Sequence, residues 1–290
     1  MKFTVYQPRS QQQALNYISK GRKDVFLLAG GTGLLIDIRN GDLKPRSLVD
    51  LSHLTDLRYI RTQGKLVKIG ALTRISDLGD HDWSKANCEV LHQVAEKFGG
   101  PAIANVATIG GDVCAASPSA DMLPVLLSLD ARLILRSRKS DRIIGVEDFL
   151  VGNGRTALRS NEIIAEAQFE APPTDALCLF NKIGRRSALF IASVSLAVFI
   201  RVDQRTKTII EARVALNDLR RRLPERSALT EASLRGRILD QRTIDGALSE
   251  LSKEMHMVSD VKGTADYKAE AAKALLEDQL LHCVSSFEER

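Results

Sequence analysis

The stretch GGPAIANVATIGGDVCAASPSAD, running from Gly99 to Asp121, holds 13 Gly, Ala, Ser or Thr residues among 23 and almost nothing bulky. Its centre is a glycine loop, Ala107-Thr108-Ile109-Gly110-Gly111. A second one, Leu28-Ala29-Gly30-Gly31-Thr32-Gly33-Leu34, lies upstream, where the apolar run VFLLAG stops and a helical pattern begins. Glycine permits positive φ and removes the Cβ that would hold an anion at a distance. Consecutive backbone amides can then share one concavity, and a helix start adds partial positive charge. Such loops suit a pyrophosphate without any Lys or Arg. Alone, each also reads as an ordinary turn. A nicotinamide-type fingerprint is the nearest rival, with Gly31-Thr32-Gly33 as its GxG and Asp50 downstream, but its third glycine is missing because position 36 is Ile. No GxxxxGK[ST] phosphate loop occurs. The residues by themselves give two backbone-amide loops and leave open whether these are ordinary turns or together form one anion site.

Working outward from the loops, the N-terminal part alternates short strands and helices. FTVY reads as a strand, and Ser10 is placed to cap a helix carrying Ala14, Leu15 and Ile18. VFLLAG reads as a buried strand. Thr32 to Asn40 reads as a helix with Leu34, Leu35 and Ile38 on one side, stopped at Asn40-Gly41. SLVDLS, LVKIGA and ARLILRS are strands. Phe98 ends an amphipathic pattern, and Asp121 to Leu129 is helical. EIIAEAQFEA is a strand ending at Pro172-Pro173, which predicts a domain boundary. We therefore divide the chain into 1–172, with subdomains of about 1–55 and 56–172, and 173–290. The second part shows three strand-like runs (LCLFNKI, SVSLAVFIRV, TIIEARVAL), then helices around Thr230, from Thr243 to Met257, and from Asp266 to about Cys283. Strands followed by helices indicate an α+β domain with a three-stranded sheet.

The chain's 290 residues are enough for a substantial core, and 44% hydrophobic with 27% charged residues is too apolar for disorder. The net charge of +5 is scattered apart from Arg220-Arg221-Arg222, and no nucleic-acid-binding motif accompanies it. The longest apolar stretch, Ala188 to Ile200, is too short to span a membrane, and the N-terminus lacks a signal-peptide core, so a cytoplasmic protein is expected. Cys88, Cys114, Cys178 and Cys283 form no CxxC pair, and the five histidines are dispersed, so no metal site is expected within the chain.

LLAGGTGLL, followed by GGPAIANVATIGGDVCAASPSADMLPVL, resembles the flavoprotein (medium) subunits of the xanthine dehydrogenase and carbon monoxide dehydrogenase family of molybdenum hydroxylases, with their AGGTDLL-like and IRNVATIGGN-like signatures. FNKIGRRSALFIA is similar to that family's FxK…R…DIA segment, and GTADYKAEAAKALLEDQL to its C-terminal helix. The resemblance covers nearly the whole chain. It implies an α+β fold of the vanillyl-alcohol oxidase (PCMH) type, two subdomains holding FAD, plus a C-terminal α+β domain closing over the cofactor.

By the same resemblance, Leu28 to Leu34 and Ala107 to Gly111 cradle the pyrophosphate from two sides, Phe98 packs on the adenine, and Ser117 and Asp121 lie near the ribityl chain. Ile163 and Ile164 line the flavin, and Lys182 reaches it from the C-terminal domain. Each has a plainer reading: Phe98 as core, Asp121 as a helix cap, Lys182 as a surface residue. Arg185 and Arg186 read as solvated turn charges. The implied partners are a molybdopterin-binding large subunit and a 2Fe–2S small subunit, in a dimer of heterotrimers; the implied role is electron transfer to an external acceptor. No nucleophile–base pair or carboxylate dyad suggests other chemistry. The chain departs from the family pattern at Gly33 (usually Asp), Ala104 (commonly Arg), Asp112 (frequently Asn) and Phe190 (Asp in DIA), and NDLRRRLPERS replaces a small-residue turn. An extra carboxylate at Asp112 is expected to weaken FAD binding unless it points away. A stand-alone flavin oxidoreductase and a degenerate scaffold without flavin are the alternatives.

Overall fold

The computed structural model describes residues 2–185, 191–217 and 223–288; Arg186, Phe190 and the Arg220–Arg222 run lie outside them. The N-terminal segment forms β1 (Thr4–Tyr6), α1 (Gln11–Ile18), β2 (Val25–Leu28), α2 (Leu34–Asn40) and β3 (Ser47–Asp50), with a parallel sheet ordered β1-β3-β2. Ser10 caps α1 by accepting from the Gln13 amide, and Ala14, Leu15 and Ile18 are buried as the helical spacing requires. Gly41 closes α2 at φ 86°, a conformation that favours glycine. Two expectations change here. β2 is an edge strand and only half-buried, and α2 buries Ile38 alone, leaving Leu35 46% and Ile36 47% exposed.

The middle of the chain builds β4 (Ile60–Gln63), β5 (Leu66–Gly70), α3 (Ile75–Asp80), α4 (Asp82–Asn87), α5 (Glu89–Lys97), α6 (Pro101–Ala104), α7 (Ile109–Ala115) and α8 (Met122–Ser128). Then follow β6 (Arg132–Ser137), β7 (Asp141–Gly145), α9 (Val146–Phe149), a small hairpin of β8 (Leu150–Gly152) and β9 (Arg155–Thr156), and β10 (Glu162–Glu170). β4, β5, β10, β6 and β7 pair antiparallel in that order. α8 is buried along its whole length, in agreement with its apolar sequence MLPVLLS.

After Glu170 the chain moves to another sheet: β11 (Ala176–Gly184), β12 (Ala192–Val202), β13 (Ile209–Leu216) and β14 (Glu225–Arg226). Three strands were expected; the fourth is a two-residue strand, too short to leave a periodic signal. Helices α10 (Ala228–Leu234), α11 (Gln241–Glu254) and α12 (Ala265–Glu288) cover one face. Leu179, Val194, Leu196, Val198, Ile200 and Val214 pack there. On the opposite face Cys178, Phe180, Ala197, Phe199 and Ala215 join the core around α8. Burial on both faces is why β12 reads as an almost unbroken apolar run. The class is α+β, as the sequence indicates.

Candidate functional site

The two glycine loops meet. A Cβ on Gly30 would stand 2.0 Å from the Val106 carbonyl oxygen, so the first loop lies directly against the residue preceding Ala107. Gly31 has φ 72°, and Leu28 and Leu35 crowd the place of its missing side chain. Around Gly33, by contrast, nothing lies within 4 Å of a built Cβ. Among the described residues, the amides of Gly30, Gly31, Thr32, Gly33 and Leu34 donate to no acceptor in the chain; intramolecular bonding resumes where Leu35 donates to Gly31. Five consecutive donors are thus left for water or an anion.

The second loop is built differently. Its Ile109 and Gly110 amides donate to the carbonyls of Thr73 and Ala71, and Gly111 donates to Thr108 Oγ1 at 3.1 Å. Ala71 in turn donates to Ala165, at the bulge in β10, and Ala107 accepts from Ile75. A Cβ on Gly110 would lie 2.8 Å from Ala71. The loop is therefore a wall fixed by the turn after β5, and its amides from Ile109 to Gly111 are already engaged. The sequence showed its glycines and not these distant partners.

The SPSAD segment forms the third side. Ser117 Oγ accepts from the Ser119 amide, and Ala116 holds φ 42°. Asp121 precedes α8 but makes no capping bond. Its Oδ2 accepts from Lys182 Nζ at 2.5 Å, and its Oδ1 is buried with no hydrogen-bond partner. Burial pushes the Asp121 carboxyl up to about 6, against the pull of Lys182. The cap of α8 comes instead from Asp112, whose Oδ2 accepts from the Met122 amide at 3.1 Å. Asp112 is pushed up to about 7 by burial and then by the neighbouring Asp121 charge. So Asp112 turns toward α8; Asp121 holds the N-cap position without a side-chain capping bond, and Lys182 is no surface residue, being 5% exposed.

The C-terminal sheet and its connections clamp the same segment. Asn217, fully buried at the end of β13, donates to the Pro118 carbonyl at 2.8 Å and accepts from the Ser195 amide at 2.6 Å. Lys262 Nζ reaches Ser119 Oγ at 2.5 Å. Neither Asn217 nor Lys262 was among the expected site residues, since each acts across long sequence separations. Phe98 is half-buried against the α8 core at the end of α5, the helix whose Gln93 and Lys97 bond the backbone of Phe180. Ile163 is fully buried against the N-terminal segment; Ile164, 7% exposed, faces the α8 core next to the bulge. Arg185 is exposed and donates to Val261.

A row of free amides, a glycine wall and a buried carboxylate oxygen lacking a donor fit a ligand with both phosphates and hydroxyls. No group of His, Cys, Asp and Glu side chains suited to a metal occurs among the described residues, and no described helix is long and apolar enough to cross a membrane. Burial pushes the thiols of Cys114 and Cys178 up to about 12, which disfavours their thiolates.

Residues 1–169 match the family model of the FAD binding domain in molybdopterin dehydrogenase, and residues 180–283 that of the CO dehydrogenase flavoprotein C-terminal domain. The glyceraldehyde dehydrogenase medium chain of Sulfolobus acidocaldarius is 29% identical, covering 94% of this chain and 95% of its own. The nicotinate dehydrogenase FAD-subunit of Eubacterium barkeri is 30% identical over 69% of each. In solved structures, a chain of the carbon monoxide dehydrogenase of Hydrogenophaga pseudoflava superposes with a TM-score of 0.91 at 26% identity, covering 96% of both chains. The fold is accordingly the PCMH-type FAD-binding fold followed by the flavoprotein C-terminal domain. With both domain models matched in order, the chain belongs to the FAD-binding domain family of the molybdopterin dehydrogenases and is an FAD subunit of an oxidoreductase of the molybdenum hydroxylase family.

Proposed function

We propose that this chain holds FAD between its two glycine loops and the SPSAD segment, and relays electrons from an iron–sulfur partner to an external acceptor. The observation that carries the placement is the run of five unengaged amides from Gly30 to Leu34, set against the Val106 carbonyl. These amides take the pyrophosphate, with no basic side chain needed. Thr108, Gly110 and Gly111 shape the facing wall. The unpartnered Asp121 Oδ1 accepts from a ribityl hydroxyl, with Ser117 beside it. Lys182 holds Asp121 in place and leaves a cation next to the cofactor, where it favours negative charge. Ile164 and Phe98 give apolar contact.

When bound, FAD supplies the redox chemistry, accepting and releasing electrons; the chain supplies position, electrostatics and exclusion of water. The matched solved structures include a Cu,Mo-CO dehydrogenase, which supports a molybdenum-containing partner; the assembly proposed here has a molybdopterin-binding large subunit and a 2Fe–2S small subunit, as a dimer of heterotrimers. In this reading the chain draws its electrons from those subunits.

The test is the visible spectrum of the full chain with and without added FAD, followed by rapid mixing of the assembled complex with its reducing substrate. Flavin bands near one equivalent that bleach only with the iron–sulfur subunit present support the relay. Bleaching by substrate in the isolated chain would mean a stand-alone oxidoreductase. A colourless chain with excess FAD, both alone and within the complex, would leave a scaffold.

A further inference from the structure

We infer that Asp112 is a further determinant of cofactor binding, and that the chain holds FAD more tightly with this carboxyl protonated than ionised. The inference rests on the placement of FAD proposed above. Its basis is the position of the side chain. Asp112 directly follows Gly111 of the glycine wall, and its Oδ2 accepts from the Met122 amide. Asp121 is the residue before Met122, so the two carboxyls converge on the same helix start. Lys182, from β11, is ion-paired to Asp121.

Among the described residues, no other charged side chain on the elements packed against α7 pairs with Asp112. On β10, Glu166 accepts from Tyr59 and Gln168; on β9, the Arg155 guanidinium lies against Gly152. Lys262 is directed to Ser119 and Asp260. The thiol of Cys114 on α7 itself stays protonated. Two carboxyls thus stand beside Lys182, and a second negative charge there is opposed by the first. Burial and that opposition place the ionisation of Asp112 near neutrality.

A dinucleotide adds its two phosphate charges to this neighbourhood, and those charges are constant between pH 6 and 8. Ionising Asp112 in the bound state is therefore harder than in the free state. By linkage, binding weakens as pH rises through the free-state value. An Asn at 112 keeps the acceptor for the Met122 amide and removes the titration; an Ala removes both.

The experiment is titration of the full apo chain with FAD at pH 6 and pH 8, followed by quenching of flavin fluorescence, for the wild type, Asp112→Asn and Asp112→Ala. We expect FAD to bind the wild type roughly fivefold more weakly at pH 8 than at pH 6, a one-proton linkage. Asp112→Asn is expected to show a clearly smaller pH dependence, the remainder belonging to Asp121, at or above the wild-type affinity at pH 6. Asp112→Ala should bind more weakly than Asn at both, because the helix cap is lost. A wild-type affinity independent of pH, or the same pH dependence in Asp112→Asn, would overturn the inference while leaving the cofactor placement standing. Absence of FAD binding by the wild type at either pH would overturn both.

Discussion

Lys182 Nζ and Asp121 Oδ2, 61 positions apart in sequence, form a 2.5 Å ion pair that joins β11 to the start of α8 with both side chains almost fully buried. The Asp121 oxygen left over has no donor, so one carboxylate faces two ways: toward the sheet that fixes it and toward the space where a hydroxyl is expected.

Lys182→Met should cost about 3–5 kcal/mol of stability at pH 7, because it strands a buried carboxylate. The double variant with Asp121→Asn should recover much of that loss while still binding FAD weakly. Denaturant unfolding of the two single variants and the double checks this; additive losses would show that the pair is not coupled.

Gly30 and Gly33 should respond in opposite ways. Gly30→Ala places a Cβ against the Val106 carbonyl and is expected to destabilise the apo chain by about 1–3 kcal/mol. Gly33→Ala meets nothing within 4 Å and should leave the melting temperature unchanged. Thermal unfolding without cofactor separates the two.

Asn217→Ala leaves the Ser195 amide without its acceptor and the Pro118 carbonyl without its donor, at a cost of about 2 kcal/mol. Because Pro118 lies between Ser117 and Asp121, FAD affinity should fall as well. Parallel unfolding and FAD titration test this: loss of stability with unchanged affinity would detach Asn217 from the site.

Stability of the apo chain should pass through a maximum in mildly acid solution. Asp112 and Asp121 have folded values raised to about 7 and about 6, so the stability they contribute is complete below the unfolded carboxylate range and is lost as pH rises through those values. Asp77, Glu162 and Asp260 are lowered: burial opposes them, but Arg58, Arg142 and Lys268 prevail, and their contribution disappears on acidification. Urea midpoints measured from pH 4 to 8 should decline from about pH 4 to pH 7 and level off above it in the wild type, with a smaller decline in Asp112→Asn.

Local signals in the sequence were enough for α1, whose Ser10 cap and apolar spacing lie within nine residues, and for the Gly41 stop. They were also enough for the long strands β10 to β13, where burial writes an extended apolar pattern. β4, β7, the β8–β9 hairpin, α3 and α4 are short or polar, and sheet or helix neighbours from far along the chain define them. The site divided in the same way. Glycines at 30, 31, 110 and 111 marked both loops. Which loop retains free amides depends on Ala71 and Thr73, and the direction of Asp112 depends on where Met122 comes to rest. Neither is a property of the local sequence.

The C-terminal sheet, with Phe180 and Phe199 toward α8 and Leu179 and Val198 toward the C-terminal helices, has a consequence for how such a chain can be rearranged. A gene divided at the codons for Pro172 and Pro173 would encode two products, each displaying half of a torn core. An exchange of one part therefore keeps the core closed only if it brings a matching surface for the other.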